Sequence, residues 1–435
     1  MHVGRQEVVR GGAVGRIRGD ERDAVARGDL PAGEALDDRR GSPVAGGRAW
    51  HRRVRCARRG CTVRSMSTEA AAPDLAPPMP TTRPTAAESA LLARHGASLA
   101  AWTLLRASDV VDLHIDTFIP PRLWGYDVFE RHGPGLLRGH FFGHLDVPRM
   151  EEGGLTGAMW SITTNPFRTA ASRWRVFQKN LTRLRALVDG SNGRLAFARN
   201  AAEYRAVRAG GAHAVLLAIQ GGNALAAAPH GPADVPDRLL TRVTLVHLTS
   251  SVYGETNSPF ARLHPVRGLT EQGRALVAAL DAERVFVDLA HIGRDAFWQA
   301  VDAHDPALPL IATHTGVDGV RPHWRNLDDR QIRAIADSGG VVGIIFAAQF
   351  LSRRGGPRDV GMVVEHLLHV LKVGGEACPA LGTDYDGAIS PPADLRCGTS
   401  YVRLVQALLD RGVSERVVEG ILGRNFLESF GRLRP

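Results

Sequence analysis

The chain has 435 residues, 44% of them hydrophobic, which is normal for a soluble globular protein and long enough for one large domain or two ordinary ones. Its net charge of +9 is unevenly placed: residues 1–65 hold 15 Arg, no Lys and 8 acidic residues, a net +7 that leaves +2 for the other 370. A near-neutral body implies no general basic face for nucleic acid or membrane surfaces, and no run of about 18 uncharged apolar residues is present to form a membrane span.

Residues 1–65 are rich in Gly, Arg and Ala with little apolar periodicity, the composition of a disordered arm. An Arg-rich arm can touch nucleic acid or anionic lipid, but the duller alternative is that Met66 is the true start. No nucleic-acid partner is expected. Cys56, Cys61, Cys378 and Cys397 are too scattered for a disulfide framework and form no C-x-x-C pair. With no apolar leader in the first 30 residues, a reducing, cytoplasmic setting is the expectation. Residues 66–85 carry Pro73, Pro77, Pro78, Pro80 and Pro84 and read as a linker. From Ala86 to about Arg106, the positions of Leu91, Leu92, Leu99, Trp102 and Leu105 predict one helix packed on the body.

Eight short apolar runs follow, at 110–116, 157–163, 214–220, 243–248, 285–291, 308–314, 340–346 and 380–386. Helical stretches lie between most of them, among them 174–188, 271–281, 328–338 and 360–373. Alternating strand and helix implies a parallel sheet. Eight repeats predict an α/β fold of the (β/α)8 TIM-barrel type over residues 86–435, about 250 residues in its usual form, with the reactive end at the C-terminal strand ends. The runner-up is an open doubly wound sheet, but no G-x-G-x-x-G follows an early strand.

The polar residues that end these runs point to chemistry. Residues two apart on a strand share a face, so His114 and Asp116 project together, a pairing that suits zinc. The third to sixth runs end in Gln220, His247, His291 and His314, and the last in Asp384 with Asp386. One strand-end histidine is ordinarily structural; four at the same end of four strands are not. In a barrel they converge on one mouth, as ligands for a cation that makes a bound water acidic near neutral pH. His366 and His369, three apart on an outer helix, are read as structural. His140 and His144 are loop residues within reach of the mouth.

The ordered set of motifs resembles the membrane (renal-type) dipeptidases, zinc peptidases of the amidohydrolase-like barrel group, over residues 109–434. Asp112-x-His114-x-Asp116 is similar to their first metal motif, and Ala218-Ile219-Gln220-Gly221-Gly222-Asn223 to their Ile-Glu-Gly-Gly-His segment. Thr244-Leu245-Val246-His247, Val287-Asp288-Leu289-Ala290-His291, Thr313-His314, Arg325-Asn326 and Gly382-Thr383-Asp384-Tyr385-Asp386-Gly387 follow in the family's order. The resemblance implies that His114 and Asp116 hold one zinc and His291 and His314 a second. It further implies that His247 polarises the scissile carbonyl and that Arg325 grips the substrate's carboxylate, for which a planar bidentate donor is suited. Asp384 would take and return protons at the attacking water. The substrate implied is a dipeptide or related small amide. A homo-oligomer is permitted, and nothing in the chain requires it.

Two positions depart from the pattern: the bridging Glu is Gln220 here, and the His three residues later is Asn223. Two divalent cations about 3.5–4 Å apart repel by roughly 17–19 kcal/mol at an effective dielectric near 20. A bridging carboxylate offsets part of that; an amide brings no charge. Lys179 and Lys372, the lysines of the chain, fall in predicted helices, so neither is placed to substitute as a carbamate. The expectation is a weakened dinuclear site, one zinc held and the second doubtful. The competing reading is a catalytically impaired dipeptidase-like barrel that binds a small molecule or a partner.

Overall fold

The computed structural model describes residues 84–133 and 139–435; the arm and nearly all of the linker lie outside them. Nine strands form one sheet: β1 (Val111–Ile115), β2 (Gly157–Thr163), β3 (Leu195–Phe197), β4 (His213–Gln220), β5 (Leu240–Thr244), β6 (Phe286–Asp288), β7 (Ala312–Thr315), β8 (Val342–Ile344) and β9 (Pro379–Leu381). Neighbours follow the order β6-β5-β4-β2-β1-β9-β8-β7 in parallel, and β3 pairs with the start of β4 outside that path. A parallel bridge from Asp288 to Ile311 brings β6 against β7 and closes the ring. The fold is a (β/α)8 barrel.

Strands covered on both faces must be apolar throughout, and β2, β4 and β5 are buried almost from end to end. Ile115, Trp160, Ile162, Leu217, Ile219, Val243 and Val287 pack outward against the helices. The helix Ala170–Asp189 shows the complementary pattern: Thr169 caps its first turn through Ser172 N–H, and Phe177, Leu181, Leu184 and Val188 recur every three to four residues on the buried face. Val111, Leu113, Met159, Leu216, Ala218, Phe286 and Ile311 form a second cluster with Phe426 and Phe430 of the last helix, Asn425–Leu433.

Three expectations change. The predicted single helix from Ala86 is two, Ala86–His95 and Leu99–Ala107, because Gly96 takes a left-handed conformation (φ 58°) and Ser98 caps a new first turn. The short strand β3 and the helix Ala201–Ala209 were not expected; three residues are too few for a period to show. Several strands stop before the ends of their apolar runs, so His247, His291 and Asp384 stand on the loops that follow β5, β6 and β9.

At the far end from those loops, Arg434 is buried. Its guanidinium donates to the carbonyls of Arg284 (2.7 Å), Arg199 (2.8 Å), Arg238 (3.0 Å) and Leu240 (2.6 Å). One side chain thus ties the chain end to the segments that lead into β5 and β6. Arg434→Ala is expected to destabilise the fold by about 2–4 kcal/mol, read as a lower urea midpoint; an unchanged midpoint would contradict the tie.

His213 gives a pH expectation. Its Nε2 accepts from Trp160 Nε1 (3.1 Å), so its Nδ1–H must donate to the Leu155 carbonyl (3.1 Å), and burial lowers its pKa to about 4. The ring is then neutral in the fold while it charges in the unfolded chain below its ordinary 6.5. Its contribution is full above that value and fades as pH falls toward 4, by up to about 3 kcal/mol. The His213 ring protons, followed by NMR, should show no titration between pH 7 and 5.

Candidate active site

Two buried aspartates fix the backbone around the barrel mouth. Asp288, at the end of β6, accepts from the N–H groups of Ala290 and Thr313 (both 3.0 Å) through Oδ1. Its Oδ2 accepts from the hydroxyls of Thr313 (2.7 Å) and Thr244 (2.6 Å). Asp112 on β1 repeats the device. Oδ1 takes the N–H groups of His114 (3.1 Å) and Thr383 (2.9 Å), and Oδ2 takes the hydroxyls of Thr383 (2.6 Å) and Tyr401 (2.8 Å). Each carboxylate crosses a place where the backbone ladder is short, β6 to β7 and β1 to β9. Each also precedes a histidine of the mouth by two or three residues. His291 and Asp384 both adopt left-handed backbone, φ 65° and 61°, a strain of about 1–2 kcal/mol each that the surrounding hydrogen bonds sustain.

The candidate side chains meet in the space so framed. His114 and His314 stack with ring centroids 3.9 Å apart, and His314 Nε2 lies 2.8 Å from His291 Nε2. His114 Nε2 faces Asp384 Oδ1 at 3.4 Å and Asp116 Oδ2 at 3.7 Å. His114, His314 and Asp384 each present a ligand atom, all within 4.8 Å of one another. Gln220 borders the group: its Oε1 accepts from the Thr163 hydroxyl (2.9 Å) and its amide nitrogen is 3.5 Å from His314 Nε2. His247 stands at the edge, partly exposed, its ring edge-on to His291 with centroids 4.7 Å apart. Arg325 is buried and donates from Nη2 to the His314 carbonyl (2.6 Å), while its Nε has no partner.

Burial dominates the electrostatics. Desolvation, then the charge of Arg325, holds His291 well below its usual pKa; desolvation and His114 do the same for His314. Burial lowers His247 to about 4. Neutral imidazoles keep a lone pair for a cation. Burial and the neighbouring Asp116 push the Asp384 carboxyl well above the usual carboxylate range. His114 Nε2 and His291 Nδ1 are buried without a hydrogen-bond partner. Crowded imidazole nitrogens beside a carboxyl group that resists ionisation are what a shared cation relieves. The donor set therefore fits a divalent cation.

The sequence profile of the membrane dipeptidases, peptidase family M19, matches residues 100–433. The chain belongs to this family. Among curated relatives, dipeptidase tcpJ of Claviceps purpurea (strain 20.1) is 29% identical over 300 residues, 66% of this chain and 68% of that one. An uncharacterized protein in the pqqA 5′ region of Klebsiella pneumoniae is 37% identical over 163 residues, 37% of this chain, which spans 59% of that relative's length. Two solved structures are similar along nearly their whole length. One is a dipeptidase AC described as a metallo peptidase (27% identity, TM-score 0.65, 75% of this chain and 98% of that one). The other is a metallo peptidase from Rhodobacter sphaeroides liganded with a phosphinate mimic of the dipeptide L-Ala-D-Ala (26% identity, TM-score 0.63, 75% and 99%). No helix among the described residues is long and apolar enough to cross a membrane.

Within this dipeptidase fold the mouth gathers His114, Asp116, Gln220, His291, His314, Arg325 and Asp384, with His247 at its edge. Asp386 does not join them. Its carboxylate accepts from the N–H groups of Gly143 (2.8 Å) and His144 (2.9 Å) and from the Thr117 hydroxyl (2.8 Å). His144 is likewise a loop pin, bonded to the Gly139 carbonyl and to Asp386 N–H (2.8 Å each). His366 accepts from Val317 N–H (2.9 Å) and is structural, as expected. Sequence reasoning gave no role to Asp288 or to Arg242. The available signal was Arg242 itself, a charge in the middle of a strand whose neighbours are otherwise buried.

Proposed function

We propose that the chain is a metal-dependent dipeptidase that hydrolyses the peptide bond of dipeptides or related small amides through a weakened two-cation centre. The observation that carries the reading is the convergence of His114, Asp116, His291, His314 and Asp384 at the mouth of an M19 barrel. Zinc is the proposed metal, since the donors are imidazole and carboxylate. His114 and Asp116 would hold one ion and His291 and His314 the other, with Gln220 between them. A divalent cation, when bound, supplies Lewis acidity toward the carbonyl and makes water a better acid.

The chain's own residues do the rest. Burial holds the Asp384 carboxyl well above the usual range, so its ionised form is a strong enough base to take a proton from the attacking water and return it to the leaving amine. His247, neutral and at the edge of the group, donates a hydrogen bond to the scissile carbonyl oxygen as charge develops there. Arg325 still has donors to offer and receives the substrate carboxylate. Water adds across the amide, giving one new carboxylate and one new amine.

Gln220 sets the limit. Its amide stands 3.5 Å from His314 Nε2 and would add no charge to offset the repulsion between two ions. The second reading, a barrel that binds a small amide without cleaving it, is favoured by Gln220 and Asn223 together. A dipeptide panel including L-Ala-D-Ala, with added zinc, manganese or cobalt, separates the two for the full chain and for Gln220→Glu. Hydrolysis by the native chain, with higher metal occupancy and at least tenfold faster turnover in Gln220→Glu, is expected. Tight dipeptide binding without cleavage in both proteins under every metal would make the chain a binding protein.

A further inference from the structure

Two histidines of the mouth have opposite hydrogen-bond wiring behind them. Thr313 donates its one O–H to Asp288 Oδ2 (2.7 Å), so its oxygen accepts from His314 Nδ1 (2.8 Å). His314 Nδ1 therefore carries the proton, and its Nε2 keeps the lone pair that a cation needs. Behind His114 stands Arg242, fully buried on β5, with Nη2 against His114 Nδ1 and 3.4 Å from the Ser161 hydroxyl. Its Nη1 is 3.2 Å from Asp288 Oδ2 and 3.3 Å from the Ile219 carbonyl, and also meets Thr244 Oγ1.

A guanidinium has donors only. A donor facing His114 Nδ1 requires that nitrogen to be the acceptor, so a neutral His114 carries its proton on Nε2. That places an N–H, not a lone pair, toward Asp384 and Asp116. A metal-ligating histidine needs the reverse arrangement, with the distal nitrogen donating to an acceptor. Arg242 is also a fixed positive charge about 7 Å from any ion on Nε2, by summing ring and bond lengths.

We infer that Arg242 competes with a metal ion for His114: it locks the ring in the tautomer that cannot ligate, so the chain loads its His314 side first and its His114 side only when Arg242 gives up that contact. Gln220 weakens the bridge between two ions; Arg242 acts separately, on one ligand. The inference rests on the metal-centre reading above. Its readouts are the position of a proton and the affinity for zinc, so it can fail while peptide hydrolysis stands, and the converse.

The first test uses the full native chain with ¹⁵N-labelled histidine, stripped of metal. Long-range ¹H–¹⁵N correlation should show His114 protonated at Nε2 and His314 at Nδ1. One equivalent of zinc should shift the His314 signals and leave the His114 tautomer in place. His114 protonated at Nδ1 in the metal-free chain overturns the proposal without any variant. The second test titrates zinc against a competing chelator. Arg242→Gln supplies a carbonyl oxygen for Nδ1–H, and should bind the second zinc at least tenfold more tightly than the native chain. Arg242→Leu removes charge and donor but adds no acceptor, and should gain less. Equal second-site affinity in the native chain and Arg242→Gln, or an equal gain in both variants, refutes the tautomer lock.

Discussion

The carboxylate of Asp288 is the interaction on which the mouth depends. It accepts from backbone and side chain of Thr313 across the seam between β6 and β7, orders the turn that leads to His291, and sits 3.2 Å from Arg242. Through Thr313 it also decides which nitrogen of His314 carries a proton. A buried anion of this kind is tolerated because each oxygen has donors around it. Removing them would leave a charge in a dry interior and loosen the ring where its backbone pairing is weakest.

The barrel was legible because its strands are apolar on both faces and its polar residues fall at one end. His114, His291 and His314 stand out from sequence for that reason, and the structure brings their rings within a few ångströms of one another. What the sequence did not convey was where each strand stops. An apolar run continues past the last ladder hydrogen bond, so the runs put His247 and Asp384 on strand ends where the structure has loops. Their positions depend on left-handed turns and side-chain anchors, which leave no periodic trace. Nor did helix periodicity reveal the break at Gly96, because the apolar spacing resumes in phase after Ser98.

Arg242 was missed for a different reason. It matches no family motif and stands as a lone charge in a strand interior. Its meaning emerges only when the donor and acceptor character of each neighbour is counted. The same accounting sets Asp386 and His144 aside: their side-chain atoms are partnered by one another, by the Gly139–Gly143 loop and by the Thr117 hydroxyl.

The two short seams have a consequence for the molecule as a whole. They divide the ring into an arc of five strands, β6 through β1, and an arc of three, β9 through β7. His114, Asp116, Gln220 and His291 belong to the larger arc; His314, Arg325 and Asp384 belong to the smaller. An ion held jointly by His314 and His291 would be a rivet between two halves that backbone pairing joins only lightly. Occupancy and rigidity would then be one equilibrium, since a ligand that favours the folded ring would tighten it.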